Sequence, residues 1–122
     1  MSIRVFLFLA LFFSYSVSAG QISIMSYNLN NLFDAQDDVG KDDKAYLPIE
    51  LKNNDDHIMG CLQVKNSKWR NECLFLDWSE EVVQKKISNI SDLLISMGES
   101  QPDIIAIQEI ENLNVLRMLF NN

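Results

Sequence analysis

The clearest periodic pattern in the chain predicts a helix over residues 79–97. The apolar positions that recur at helical spacing are Val83, Ile87, Ile90, Leu94 and Met97. Ser79 is a favourable N-cap, and Glu80 and Glu81 in the first turn complement the positive end of the helix dipole. Gly98 suits the position just past the last turn. The pattern therefore predicts an amphipathic helix that packs through one face.

Two shorter apolar runs predict strands on either side of this helix. Residues 22–28 alternate in part and are rich in strand-forming side chains. Residues 103–109 follow Pro102 as a short apolar run, which is typical of a buried strand. A strand–helix–strand unit joins parallel neighbours through a right-handed crossover, so Asn28 and Glu109 are expected at the same edge of the sheet.

The remaining segments complete an α/β pattern with one long excursion. Residues 34–56 are acidic and polar and predict an irregular loop. Residues 57–78 predict a loop that packs through its cysteines and aromatic side chains. A segment from Asn112 or Asn114 to Phe120 predicts a last helix. The fold class predicted is therefore α/β.

Residues 1–19 have the pattern of a secretory signal peptide. Arg4 and the amino terminus form a positive region, residues 5–13 form an apolar run, and residues 17–19 suit a cleavage site. The apolar run is shorter than the ~20 residues that a spanning helix needs, which disfavours a membrane anchor. The sequence thus predicts an exported protein, periplasmic or extracellular, with one domain over residues 20–122 and no membrane span after signal removal.

Composition and charge restrict the class of protein. Hydrophobic residues make up 48% and charged residues 22%, which indicates a globular chain. The formal net charge is −7, and removal of the signal takes away Arg4 and no acid, so it becomes −8. This disfavours a surface that grips nucleic acid by charge alone. It leaves a nucleic-acid substrate open, because a bound divalent cation supplies positive charge locally.

The two cysteines predict a disulfide. Cys61 and Cys73 lie beyond the signal, and export places them where a disulfide persists. The alternatives are a metal pair and two free thiols, but tight Cys-x-x-Cys spacing is absent and His57 is the only histidine. His57 lies in a polar stretch and is expected at the surface.

The acidic loop offers a weaker candidate, a calcium site. Its acids are Asp34, Asp37, Asp38, Asp42 and Asp43. An EF-hand loop needs Gly at its sixth position, but a loop starting at Asp34 has Val39 there. A loop starting at Asp38 has Gly40 at the third position, where an acid or amide is required. A solvated acidic loop is the prediction.

Two segments resemble the first two motifs of the endonuclease/exonuclease/phosphatase superfamily. They read SYNLNNLFD at residues 26–34 and PDIIAIQEIEN at residues 102–112. The stretch between them resembles exported bacterial members of that superfamily, in GKDD (40–43), YLP (46–48), WRNEC (69–73) and DWSE (77–80). The resemblance covers essentially all of residues 20–122.

The resemblance implies a fold, a cofactor and two site residues. The fold is a four-layer α/β sandwich of two packed sheets flanked by helices, incomplete in this chain. The cofactor is a divalent metal ion, Mg²⁺ first, with Mn²⁺ or Ca²⁺ as alternatives. Glu109 matches the metal-binding carboxylate, and Asn28 matches the amide that lines the same site. From the residues alone, Asn28 as a turn cap and Glu109 as a solvated strand end remain alternatives, and Glu111 is expected to be a surface charge.

The function implied is an exported metal-dependent phosphodiester hydrolase, with nucleic acid as substrate and a nuclease as the first candidate. A phosphatase or phospholipid diesterase of the same superfamily would carry the same motifs. The superfamily's later motifs, an Asp/Asn pair and an Asp-His pair, have no match in the 122 residues. The chain is therefore expected to be an N-terminal fragment that is inactive alone. A non-catalytic exported binding or remnant protein is the alternative, and the sequence does not predict an oligomeric state.

Overall fold

The structure, a computed structural model, describes residues 20–121, and the predicted signal segment lies outside the described residues. The strands and helices, in chain order, are β1 (Ile24–Leu32), α1 (Asp55–Leu62), α2 (Ser67–Phe75), α3 (Glu80–Ser96), β2 (Ile104–Ile110) and α4 (Leu113–Phe120). Short 3-10 turns cover Lys44–Tyr46, Ile49–Lys52 and Gly98–Ser100. The predicted α/β class is confirmed. Within the described part of the chain, no helix is long and apolar enough to cross a membrane.

The predicted strand–helix–strand unit forms as a parallel pair. β1 and β2 pair in register from Ile24 opposite Ile104 to Asn28 opposite Gln108. Beyond Asn28 the register shifts, and pairing resumes where Leu32 lies opposite Ile110. β1 therefore runs four residues past the predicted end at Asn28, because the buried Leu29 and Leu32 anchor the chain beyond the irregularity.

The irregularity in β1 is a left-handed pair of asparagines. Asn30 has φ of 52° and Asn31 has φ of 61°. Asparagine adopts this region more readily than other residues with a side chain. The two residues form a local bulge that turns the end of β1 relative to β2.

Helix α3 covers the sheet as its periodicity predicts. The Ser79 hydroxyl accepts a hydrogen bond from the Val82 amide at 3.5 Å and caps the first turn. Gly98 has φ of +53°, a conformation that glycine adopts without a steric penalty, and the helix ends before it. The core lies between one sheet face, α3 and α4, and consists of Leu29, Leu32, Trp78, Val83, Ile87, Ile90, Val115 and Leu119.

Most of residues 57–78 are helical, in α1 and α2, so the prediction of a loop there is wrong. Asn54 and Asn66 cap α1 and α2 through their side-chain oxygens. Neither helix has a long apolar periodicity that would have predicted it. The predicted disulfide between Cys61 and Cys73 is confirmed and joins the two helices, with 5.6 Å between the Cα atoms. The surface prediction for His57 is also wrong. Its ring is buried, and Nε2 lies 2.9 Å from the Cys73 carbonyl oxygen.

Candidate metal centre

Asn28 and Glu109 meet at the shared edge of the two strands. The Asn28 amide nitrogen Nδ2 donates a hydrogen bond to Glu109 Oε1 at 2.7 Å, and both residues are exposed. Glu109 has φ of 55°, which is uncommon for a residue with a side chain and costs roughly 1 kcal/mol or more. Strained conformations of this kind persist only where the surrounding structure holds them. They cluster at functional sites.

The remaining oxygens of this pair suit a hard cation. Asn28 Oδ1 accepts a hydrogen bond from the Asn30 amide at 2.7 Å, which fixes the orientation of the side-chain amide. A carbonyl oxygen has a second lone pair, so this contact leaves Asn28 able to bind a further group. Among residues 20–121, none donates a hydrogen bond to Glu109 Oε2. One carboxylate with neutral oxygen donors and room for water is a typical set for Mg²⁺. The Glu109 carboxylate therefore fits a divalent metal ion, while Asn28 presents its amide nitrogen to that carboxylate and its amide oxygen to the Asn30 amide.

Lys86 of α3 supports the turn that follows Asn28. Its Nζ donates to the carbonyl oxygens of Asn30 at 2.6 Å and Asn31 at 3.0 Å. Nζ also lies 5.1 Å from the centre of the Trp78 ring, within cation–π distance. Burial lowers the pKa of Lys86, and the Glu109 carboxylate partly offsets that effect. The lysine thus holds the asparagine pair in place and adds positive charge beside Glu109.

An aromatic wall stands beside the pair. Phe33 and Tyr46 stack with ring centres 4.1 Å apart, and Tyr46 meets Trp78 edge-on at 5.2 Å. Burial raises the pKa of Tyr46, and the carboxylates of Glu72 and Glu109 raise it further. The tyrosine is therefore a neutral hydroxyl at neutral pH, within the electrostatic reach of Glu109.

A cavity of about 650 Å³ opens along this wall. Its aromatic lining is Tyr46, Trp69 and Trp78. Its charged lining is Lys44, Lys68, Lys86, Asp42 and Glu72. Asn30 and Asn31 also line it and connect it to the Asn28–Glu109 pair. The space is open, aromatic and rich in lysine, although the whole chain is acidic.

Glu111 is not the surface charge that the sequence predicts. It is half-buried, and its Oε2 accepts a hydrogen bond from the Asp34 amide at 2.9 Å. Burial raises the pKa of Glu111 to about 7, the Asp34 amide lowers it, and the carboxylates of Asp34, Asp38 and Asp43 raise it again. The loop from residue 34 packs against the end of β2, which is why this acid is enclosed.

The two predicted site residues are brought together, and others were missed. Their roles as metal ligands remain a prediction, but the expected juxtaposition is present. Lys86 was missed, although a detectable signal existed: it falls three residues after Val83 and four before Ile90, on the apolar stripe of α3. Tyr46 had no periodic signal, because the long loop that carries it has no period, and the resemblance included it only as part of YLP (46–48).

Comparisons of the chain with protein-family models, with characterised proteins and with solved structures each found no significant match.

Proposed function

We propose that the chain belongs to an exported phosphodiester hydrolase of the endonuclease/exonuclease/phosphatase type and supplies residues of its metal centre. One observation carries the proposal: two motifs far apart in sequence place Asn28 and Glu109 in hydrogen-bond contact at one sheet edge. Open α/β sheets bind ligands at the edge where parallel strands end. The confirmed disulfide is compatible with export.

The residues of this edge have complementary roles in the proposed chemistry. Glu109 would hold a divalent ion through its carboxylate, and the Asn28 amide would orient a phosphate oxygen of the substrate. When bound, such an ion polarises the phosphoryl group and neutralises developing negative charge. Lys86 fixes the turn at Asn30 and Asn31, so the amide of Asn28 is held before substrate arrives.

The cavity favours a nucleic-acid strand over a small phosphomonoester. Trp69 is 62% exposed and lines the cavity with Tyr46, and exposed aromatic rings are platforms for stacked bases. Lys44 and Lys68 line the same space and would neutralise backbone phosphates. A simple phosphomonoester would use neither the rings nor a lined cavity of about 650 Å³. A nuclease is therefore the first candidate.

The test is metal-dependent cleavage of an oligonucleotide by the protein purified in its exported form. A fluorescent single-stranded oligonucleotide is incubated with wild type and Glu109→Gln, in Mg²⁺ and in EDTA. Cleavage should require Mg²⁺ and fall by about 100-fold or more in the variant, because the ion loses its charged ligand. Glu99→Gln is the matched control, since Glu99 is an exposed acid in the turn before β2 and should leave the rate unchanged.

Three other outcomes would overturn parts of the proposal. Full activity in Glu109→Gln contradicts the assignment of the metal ligand. Faster cleavage of a phosphomonoester or of phospholipid vesicles replaces the nuclease with a phosphatase or a phospholipid diesterase. Tight oligonucleotide binding without any turnover favours the non-catalytic binding protein.

A further inference from the structure

A second group of carboxylates lies apart from the Asn28–Glu109 pair. Asp38, Asp43 and Glu111 each offer one oxygen, and these oxygens all lie within 4.8 Å of one another. Asp38 and Asp43 come from the loop after β1, and Glu111 directly follows β2. The loop was predicted to be solvated, and that prediction is wrong for Asp34 and Asp43, which are only 3% and 1% exposed.

The decisive feature is that two of these carboxylates have buried oxygens without a partner. Asp43 Oδ2 accepts a hydrogen bond from the Asp38 amide at 2.8 Å, but Asp43 Oδ1 is buried and has no hydrogen-bond partner. Glu111 Oε1 is likewise buried and unpartnered. A buried carboxylate oxygen without a donor or a cation is strongly unfavourable.

Protein cations do not compensate these charges. Over residues 20–121, the ion pair that the structure shows joins Lys68 and Glu72, on α2. Asn112 donates from its amide to both Asp34 and Asp38, at 3.1 and 3.2 Å, and these are neutral contacts. Among residues 20–121, no lysine or arginine forms an ion pair with the three acids of the cluster. Like charges this close are destabilising unless a cation lies between them or one carboxyl is protonated.

We propose that Asp38, Asp43 and Glu111 bind a structural calcium ion. Ca²⁺ takes carboxylate oxygens at about 2.3–2.6 Å, so two ligands on opposite sides of the ion lie roughly 4.6–5.2 Å apart. The oxygens of the cluster all lie within 4.8 Å of one another, so they are close enough for one ion of this size to bind all three. Mg²⁺, with ligands at about 2.0–2.1 Å, requires opposite oxygens only about 4.2 Å apart and a stricter octahedron. The unpartnered Asp43 Oδ1 and Glu111 Oε1 are the oxygens that the ion would satisfy.

Asp34 is excluded from the ligand set by its own hydrogen bonds. Its Oδ1 accepts from the Gln36 amide at 3.1 Å. Its Oδ2 accepts from the side-chain amides of Asn112 and Asn114, each at 3.1 Å. Asp34 therefore positions the loop rather than the ion. The EF-hand pattern fails because the ligands come from two segments far apart in sequence.

The ion would fasten the long loop to the junction between β2 and α4. The Glu111 amide donates to the Leu32 carbonyl at 3.1 Å, so the ends of both strands converge at this point. Asn112 caps α4 through its side chain. Calcium bound here would stabilise the edge that carries Asn28 and Glu109, although neither residue is a ligand of that ion.

The experiment measures thermal unfolding of the full chain after dialysis against EGTA, with Ca²⁺ or Mg²⁺ added at millimolar concentration. Ca²⁺ should raise the midpoint by about 5 °C or more at roughly ten times its dissociation constant, and Mg²⁺ should raise it less. Asp43→Asn should abolish the Ca²⁺ shift. In EGTA the same variant should unfold at or above the wild-type temperature, because it removes a buried unpaired charge.

Matched variants separate this site from its neighbours. Asp37→Asn and Asp42→Asn change exposed acids of the same loop and should keep the full Ca²⁺ shift. Glu109→Gln should keep it too. The proposal is overturned if wild type shows no Ca²⁺ shift, if Asp43→Asn retains the shift, or if Glu109→Gln alone removes it. The last result would place the stabilising ion at the other carboxylate.

Discussion

Asn28 and Glu109 are 81 residues apart in sequence, yet Asn28 Nδ2 donates to Glu109 Oε1 across 2.7 Å. Two features produce this contact. The parallel pairing brings Asn28 opposite Gln108, and the left-handed conformation of Glu109 turns the chain immediately after that pair. The contact therefore depends on strand register and on a strained backbone, and both require support from neighbouring elements.

Lys86 is expected to provide part of that support. Lys86→Met removes the donor to the carbonyl oxygens of Asn30 and Asn31, and the free energy of unfolding should fall by about 1–2 kcal/mol. The loss is at the lower end for a charged donor, because water reaches part of this region. Lys85→Met is the control, since Lys85 is exposed on the same helix. Equal urea midpoints for the two variants would show that Lys86 does not stabilise the turn at Asn30 and Asn31.

Lys52 gives the clearest expected pH dependence. It is 2% exposed, its Nζ donates to the carbonyl of Ala45 at 2.8 Å, and burial lowers its pKa from 10.5 to about 8, with Asp77 partly offsetting the shift. Between about pH 8 and 10.5 the unfolded chain keeps a proton that the folded chain has lost, so this group makes folding more favourable as pH rises.

The measurement for Lys52 combines NMR and unfolding. Carbon NMR of the lysine Cε atoms should show this residue titrating near pH 8. The free energy of unfolding of wild type, relative to Lys52→Met, should increase above pH 8. A Lys52 pKa near 10.5, together with a wild-type minus Lys52→Met difference in unfolding free energy that does not change with pH, would contradict the burial of a charged lysine.

The disulfide between Cys61 and Cys73 should stabilise the region that lines the cavity. It joins α1 to α2, and Cys73 lies on the cavity wall. On the loop-entropy model, replacing both cysteines by serine should lower the free energy of unfolding by about 3 kcal/mol. Reductant should lower the stability of wild type but leave the double variant unchanged. Two free thiols found by alkylation of the unfolded protein without reductant would show that the bond does not form.

Trp69 should contribute to oligonucleotide binding but not to folding. It is 62% exposed and lines the cavity, so Trp69→Ala should weaken binding of a single-stranded oligonucleotide by roughly 5- to 150-fold. Phe75→Ala is the matched control, because Phe75 is a similarly exposed ring on the same helix that lies outside the cavity lining. Fluorescence anisotropy that falls equally in both variants would argue against a stacking surface at Trp69.

The sequence predicted the parts of this fold that have a period or a motif. The apolar stripe of α3 located that helix to within a residue at each end, and the strand ends correctly brought Asn28 and Glu109 to one edge. The helices α1 and α2 were missed because they are short and have no long amphipathic face. Their sequence signals are the N-cap residues Asn54 and Asn66. Short helices gain their stability from tertiary packing, which no local pattern reveals.

The burial of polar groups was the part that sequence reasoning could not supply. Asp43, Glu111 and His57 occupy polar stretches, and such stretches are usually solvated. Each is enclosed by a segment distant in sequence: the loop after β1 packs against the end of β2, and α1 packs against α2. Only tertiary structure shows that two carboxylate oxygens are left without partners.

The most direct test of the metal centre is paramagnetic broadening by Mn²⁺ in amide NMR spectra of the full chain. Ca²⁺ is present at the lowest concentration that gives the full thermal shift, so that the acidic cluster is filled and competition at Glu109 is kept small. Substoichiometric Mn²⁺ should broaden the signals of Asn28, Asn30 and Glu109 first, and Glu109→Gln should remove that broadening while Glu99→Gln preserves it. Unchanged broadening at these amides in Glu109→Gln, or none in wild type, would contradict the assignment of Glu109 as the metal ligand.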